Sequence, residues 1–322
     1  MLQASQIVLD PIKQLRNDFK NGLQQVDNLI LDSVSTNEPL VQTIAKTLIS
    51  AGGKRIRPLL CLASGQLIGT LNQNSIYLAA AVELIHVATL LHDDVIDESP
   101  LRRGQQTSNM IWGNKPSILV GDFLFAKAFQ LIVKTENIQF LDILSTTSSK
   151  ISEGEVTQLR CFNALDLNVE NYLEITEHKT ATLFSAACHI GALTAGADKN
   201  TAYKISQFGK FFGLMYQIID DIDDYITTNR GKSQGDDYQE GKVTLPVLLA
   251  FQDDPDKAFW HQCFSSDNQP PFEQALERLH KFDSFRKCRA IAKLYGKQAQ
   301  ECLQPITNDI SYLMQAVVES SL

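Results

Sequence analysis

The chain is short of basic charge, of paired cysteines, of proline through its middle and of strand-type alternation. Its 322 residues carry 29 Lys and Arg against 37 Asp and Glu, a formal net charge of -8. A field of that sign argues against a nucleic-acid binder working through overall charge. The six cysteines (61, 161, 188, 263, 288 and 302) form no CxxC pair. This argues against a disulfide framework or a thiolate zinc site and suits reduced thiols in the cytoplasm. No proline lies between Pro116 and Pro246, so nothing there breaks a long helix. Strict apolar–polar alternation is scarce, and no Asn-Gly turn joins alternating runs, which disfavours a sheet. The longest apolar stretch, "LAAAVELIHVATLL", is interrupted by Glu83 and His86 and is too short to span a bilayer. The N-terminus lacks the basic segment and apolar stretch of a signal peptide. No fixed-period repeat is visible.

What is present is helical. Hydrophobic residues at 44% and charged residues at 20% describe a globular chain able to bury a large core. "YLAAAVELIHVATLLHDDVID" predicts a buried helix ending before Pro100. "SILVGDFLFAKAFQLIVK", "FLDILSTTSSKISEGEVTQLRCF", "VENYLEITEHKTATLFSAACHIGAL" and "TAYKISQFGKFFGLMYQIIDDIDDYI" show apolar residues at helical spacing. In the last, Gly209 and Gly213 share a face and invite close approach of a neighbouring helix. The expected fold is all-α: ten or more helices in one large bundle, a single domain over residues 1–322. Residues 253–286 are the least legible.

Two carboxylate clusters carry the first chemical signal. Asp93 and Asp97 are four apart and share a helix face, with Asp94 beside them. Asp220 and Asp224 repeat the spacing, with Asp221 adjacent. Asp223 is an extra acid off this pattern, expected at the solvent. One cluster precedes Pro100 and the other a polar, Gly-containing loop, so both sit near helix C-termini. Each anion there opposes the helix dipole by about 0.3–1 kcal/mol, and like charges raise one another's pKa. A single such cluster is an ordinary solvated helix end. Two with one spacing, both against the dipole, point to a bound cation. Clustered carboxylates without thiols or paired histidines suit a hard, oxygen-seeking ion. Mg²⁺ keeps several waters and is usually completed by substrate phosphates. Two acidic walls across a cavity would hold a phosphate-bearing ligand in this way.

"AGGKRIRPLL" at 51–60 is the counterpart. Gly52 and Gly53 make a flexible turn, and Pro58 suits the first turn of a helix. Lys54, Arg55 and Arg57 then crowd a helix N-terminus, where cations belong only beside an anion. By itself a solvated basic loop is the commoner case. His86, on an apolar helix, reads first as a core histidine with a satisfied hydrogen bond. Lys179 and Thr180 lie among apolar neighbours, where a buried lysine needs a partner. "GKSQGDDYQEGKVTLP" is suited to closing over an anion, and equally to being a plain surface loop.

Taken together these residues closely resemble the trans-type polyprenyl diphosphate synthases, the all-α isoprenoid chain elongators. The resemblance runs from "GGKRIRP" to "GKVTLP" and includes "DDVID" with "RRG", "GDFLFAKAF", "EGEVTQL", "KTATLFSAA" and "GLMYQIIDDIDDY". The long-chain bacterial octaprenyl type looks closest. The resemblance implies that Asp93, Asp97 and Asp220, with Asp94, Asp221 and Asp224, hold Mg²⁺ on an allylic prenyl diphosphate around a central cavity. It implies that Arg102, Lys179, Thr180, Gln217 and Lys242 bind that diphosphate, joined by Lys232 from the loop. Lys54, Arg57, His86 and Arg103 would bind isopentenyl diphosphate without metal, which moves His86 to a functional role. The family further implies a homodimer, a product that partitions into membranes and serves quinone side chains, and loss of a proton to the released diphosphate.

Ala88 and Thr89, about one turn before Asp93, would form the upper wall of the product tunnel; short-chain relatives carry a bulky aromatic there. The floor is expected from the helix holding Phe123, Lys127 and Phe129. The C-terminal tail after Gln304 lacks the arginine-rich ending associated with the closest relatives. A class I terpene cyclase would need neither "GGKRIRP" nor a second DDxxD, and a non-catalytic subunit would have lost aspartates that are present here. A shorter-chain synthase remains open.

Overall fold

The computed structural model describes residues 10–102, 104–161, 163–226, 234–265 and 269–322. Among them the chain is helical apart from one two-residue hairpin, which bears out the all-α expectation. Three N-terminal helices, α1 (Pro11–Asp18), α2 (Lys20–Ser33) and α3 (Pro39–Ser50), lead to α4 (Ile56–Ile68) and α5 (Gln73–Ile96). The hairpin β1 (Leu101–Arg102) and β2 (Gln105–Gln106) follows, then α6 (Ser108–Trp112), α7 (Asn114–Val133) and α8 (Ile138–Arg160). Next come α9 (Val169–Thr176), α10 (Thr182–Thr194) and α11 (Lys199–Ile226). The chain closes with α12 (Asp236–Gln239), α13 (Leu245–Asp253), α14 (Lys257–Cys263), α15 (Phe272–Lys281), α16 (Ser284–Leu303) and α17 (Asp309–Ser320).

The middle of the bundle is α5. Asn72 caps it: the Asn72 side chain accepts from the Asn74 and Ser75 backbone N–H groups, and the Ser75 hydroxyl accepts from the Asn72 N–H. Its Leu and Ala positions are buried nearly all round, against α4, α7 and α10. At 24 residues and mean hydropathy 1.5, α5 is long enough for a membrane span, longer than its uninterrupted apolar run suggests. Its most apolar window is 72% buried inside the bundle, as expected of a core helix. The 20-residue α7 is as apolar but only 39% buried, because one face packs on α5 and the other is uncovered.

The long helix expected over 169–193 is interrupted. Between α9 and α10 the backbone makes a π turn, Glu177–Ala181, and Lys179 and Thr180 ride on it. Such a wide turn is frequent where a helix serves a site. Next to it, α11 comes unusually close. A Cβ on Gly213 would stand 2.6 Å from Ala181 Cα, and one on Gly209 would stand 2.5 Å from the Phe184 carbonyl oxygen. The close approach expected of these glycines is therefore real, and it brings Gln217 and Asp220 beside the π turn. Gly213→Val forces the two backbones apart; overpacking of this kind costs about 1–3 kcal/mol. A melting temperature several degrees lower in calorimetry is the expected result.

The described residues of the obscure stretch 253–286 include two short helices, α14 and α15, around a buried carboxylate. The Asp254 carboxylate accepts from the Trp260 indole N–H at 3.0 Å and from Arg278 at 2.7 Å. Burial works against its charge, but the Asp256 backbone N–H, then Arg278 and Trp260, prevail and hold its pKa below the ordinary carboxylate value. A depressed folded pKa stabilises above the unfolded value of about 3.9, and that support is lost as pH falls through the lower folded value. Asp254→Leu strands the Trp260 N–H and should cost about 1–3 kcal/mol at neutral pH. In denaturant titrations its deficit against wild type should shrink as the solution is acidified. The tail after Gln304 forms α17, which buries Met314, Val317 and Val318 and packs against α1, α4 and α16.

Candidate active site

One cavity of about 740 Å³ opens where the C-terminal turns of α5 and α11 meet the start of α4, the π turn and the segment after α12. The i, i+4 spacing puts both carboxylates of each pair on its wall. Asp93 and Asp97 line it from α5, and Asp220 and Asp224 from α11. Of their neighbours, each rotated about 100°, Asp94 turns away from the cavity and Asp221 remains at its wall. Asp94 is 1% exposed, faces a smaller pocket, and accepts from Arg102 Nε at 2.6 Å; its other oxygen, Oδ2, is buried without a partner. Asp221 is buried at the cavity wall, where the Tyr172 hydroxyl donates to one oxygen at 2.6 Å and the Gln217 amide to the other at 2.8 Å. Burial, reinforced by repulsion from Asp237, pushes the Asp221 carboxyl up to about 7. Asp223 does not face bulk solvent as expected. It is half-buried and also lines the cavity.

The basic side chains divide between two ends. Lys242 donates to Asp97 and to Glu240, both at 2.6 Å. Burial opposes its charge, yet Asp237, Asp97 and Glu240 outweigh that and raise its pKa. Lys179 donates to Glu155 at 2.8 Å and to Gln158 at 2.6 Å. Burial and then Asp93 push Glu155 up to about 7 against the pull of Lys179. Thr180 donates to the Gln217 carbonyl at 2.9 Å, so Thr180, Gln217, Asp221 and Tyr172 form one hydrogen-bonded row. Arg102, tethered by Asp94, lines the same cavity.

At the other end Lys54 lies over the Tyr216 ring at 5.6 Å and Arg57 over the Phe184 ring at 4.3 Å. Arg57 Nη1 is 3.2 Å from His86 Nε2. Arginine only donates, so His86 accepts through Nε2 and carries its proton on Nδ1. Burial lowers the Arg57 pKa, and its buried Nε has no protein partner. A buried cation with an unused donor is prepared for an anion. Arg103 and Lys232 lie outside the described residues.

Ala88 and Thr89 part company. Thr89 lines the cavity, whereas Ala88 is fully buried and does not. Phe123, Lys127 and Phe129 are half-buried on α7, which packs along α5, and none lines the cavity.

The acidic end fits a hard divalent cation. Burial, together with Asp97, raises the Asp93 pKa, so this set is short of positive charge even with Lys179, Arg102 and Lys242 nearby. Among the described residues no three His, Cys, Asp or Glu side chains converge tightly enough to enclose an ion by themselves. The donor set fits a site completed by waters and substrate oxygens, which is how Mg²⁺ is usually held.

Several cavity residues were not singled out from the sequence. Glu155 and Gln158, three apart on α8, share a face directed at Lys179. Asp237 lines the cavity and acts on the Lys242 charge, Glu240 accepts from Lys242 just beside it, and Tyr172 donates to Asp221. Only the position of "EGEVTQL" within the resemblance hinted at the first pair; nothing local marked Tyr172.

A family model described as polyprenyl synthetase matches residues 38–279. The chain belongs to the polyprenyl synthetase family. Octaprenyl diphosphate synthase of Haemophilus influenzae is 38% identical over 246 residues, covering 76% of this chain and 74% of that one. The geranyl-diphosphate-specific all-trans-nonaprenyl-diphosphate synthase of Rhodobacter capsulatus is 41% identical, covering 78% and 76%. A crystal structure of a Caulobacter crescentus CB15 polyprenyl synthase, complexed with calcium and isoprenyl diphosphate, superimposes with a TM-score of 0.93 at 39% identity, covering 96% and 97%. This polyprenyl synthetase is accordingly an all-α prenyltransferase of isoprenoid biosynthesis.

Proposed function

We propose that this polyprenyl synthetase is a long-chain trans-polyprenyl diphosphate synthase. It condenses isopentenyl diphosphate repeatedly onto an allylic diphosphate, with farnesyl diphosphate as primer, to about the octaprenyl length used in quinone side chains. The observation that carries this is a single cavity with an acidic end and a separate cationic end. Octaprenyl and nonaprenyl synthases among its relatives support a long product.

Mg²⁺, held by Asp93, Asp97, Asp220 and Asp224, would supply charge neutralisation for the allylic diphosphate. Arg102, Lys179 and Lys242 add positive charge at the same end, where the leaving diphosphate gathers negative charge. Gln217, oriented by Asp221 and Thr180, turns its amide to the wall of that pocket. Lys54, Arg57 and His86 hold isopentenyl diphosphate, with Arg57 Nε as an available donor. The two ends thus set the double bond beside the allylic carbon, and proximity does much of the work. The proton lost afterwards goes to the released diphosphate.

The whole chain acts as one catalytic unit in the cytoplasm, and its product partitions into membranes. It pairs as a homodimer through the uncovered face of α7 and the end of α8. There Leu119, Val133, Val156 and Leu159 are 64%, 62%, 58% and 50% exposed. Sedimentation at micromolar concentration should give twice the chain mass, and a monomer would refute the pairing.

The deciding assay supplies farnesyl diphosphate, labelled isopentenyl diphosphate and Mg²⁺, with and without chelator, and sizes the products. Label in a long chain, abolished by chelator, is expected. No incorporation would return the protein to the cyclase or non-catalytic readings.

A further inference from the structure

Arg55 stands between the two basic residues assigned to isopentenyl diphosphate, yet its own charge is committed elsewhere. Nε donates to Asp27 at 3.0 Å, Nη1 to Glu83 at 2.6 Å, and Nη2 to the Ile49 carbonyl at 2.9 Å. The side chain is 13% exposed and that of Glu83 6%. Each guanidinium nitrogen therefore has a protein acceptor, and the three acceptors come from α2, α5 and α3. Burial works against the Arg55 charge, and Glu83 and Asp27 outweigh it.

The backbone at Arg55 is equally unusual. Its φ of 43° and ψ of 35° are left-handed, at the N-cap of α4, where an extended residue with a short polar side chain is usual. A non-glycine residue keeps that conformation only when its surroundings impose it. The preceding turn supplies little restraint, since Gly52 is also left-handed, at φ 74°, and Gly53 follows it. Lys54 and Arg57 carry like charge on this one short turn, and both line the cavity.

We propose that Arg55 is a positioning residue for the cationic end: its three-way clamp fixes the 52–57 turn so that Lys54 and Arg57 stand ready for a diphosphate. Stability alone is a poor reason for the clamp, because buried ion pairs are often no better than apolar residues of the same size. All three Arg55 nitrogens already donate to protein groups, so the clamp fixes the side chain whatever its two remaining Nη N–H groups do. The inference rests on the reading that this end takes isopentenyl diphosphate.

The test uses full-length Arg55→Lys and Arg55→Gly. The lysine keeps the charge but cannot fork to three acceptors; the glycine relieves the left-handed backbone and removes the clamp. Metal-free isopentenyl diphosphate binding by calorimetry, separate KM values for the two substrates, and melting curves are measured. In both variants KM for isopentenyl diphosphate should rise about ten- to hundredfold, the scale set by small misplacements, with KM for farnesyl diphosphate unchanged. A glycine variant with wild-type KM overturns the proposal, as does a parallel rise in both KM values with a lower melting temperature. Asp27→Asn loosens the clamp at its more exposed edge, Asp27 being 38% exposed, and serves if the Arg55 variants do not fold. A smaller rise confined to isopentenyl diphosphate is expected, and no rise refutes the proposal. Wild-type protein that binds no isopentenyl diphosphate defeats the parent reading and this inference together. Wild-type binding with unaltered variants defeats this inference alone.

Discussion

Asp93→Ala lowers turnover by about 10²–10³, the scale found when one preorganised electrostatic group is removed from an active site. Asp93 lies in the last turn of α5 and lines the cavity beside Asp97. Its carboxylate is destabilised there by burial and by Asp97. The helix C-terminus adds an opposing contribution of about 0.3–1 kcal/mol. An acid kept in so unfavourable a place has a use that outweighs its cost; on the proposed function that use is neutralising the leaving diphosphate through a bound cation. The same reasoning sets the sign for stability. Without Mg²⁺ the variant should melt at or above the wild-type temperature, because a strained like-charge contact has gone. Steady-state kinetics at saturating Mg²⁺, paired with thermal melts in chelator, measure both effects. Turnover within tenfold of wild type would remove Asp93 from the proposed metal site.

Thr89→Phe changes the product rather than the rate of the first condensation. Thr89 is one turn before Asp93 on α5 and lines the cavity, so an aromatic ring there enters the space a growing chain must use. Products built on the farnesyl primer should stop at the geranylgeranyl scale, one condensation on, when resolved by chromatography. Ala88→Phe behaves differently. Ala88 is fully buried within the packing of α5, so the ring must displace core side chains at about 1–3 kcal/mol. A lower melting temperature is expected there before any clean change of product. An unaltered product distribution in an active Thr89→Phe enzyme would show that the chain leaves the cavity by another route.

Much of this site was legible because α-helical geometry converts spacing into position. Asp93 and Asp97, or Asp220 and Asp224, must share a face of any helix that carries them. The glycines at 209 and 213 announced a close neighbour by the same rule, and α10 with the π turn is that neighbour. The π turn itself left no mark in the apolar pattern, because one extra residue per turn shifts the period too slightly to notice over so short a stretch. Asp223 was misplaced for a related reason: its position off the DDxxD pattern suggested solvent, but the cavity is wide enough to take in both flanks of α11 near its end.

By itself the sequence determined the helical class, the helices that bear the acids and bases, and the family. Each depends on residues close together in the chain, where local geometry dictates the outcome. Tertiary structure alone decided which groups hold one another. Tyr172 reaches Asp221 across 49 residues, Glu155 reaches Lys179 across 24, and Lys242 reaches Asp97 across 145. It also decided that Asp94 turns to Arg102 rather than to the cavity. Such contacts depend on the rotation and depth at which two helices pack, set by close-packing of many side chains together. No single stretch of sequence encodes them.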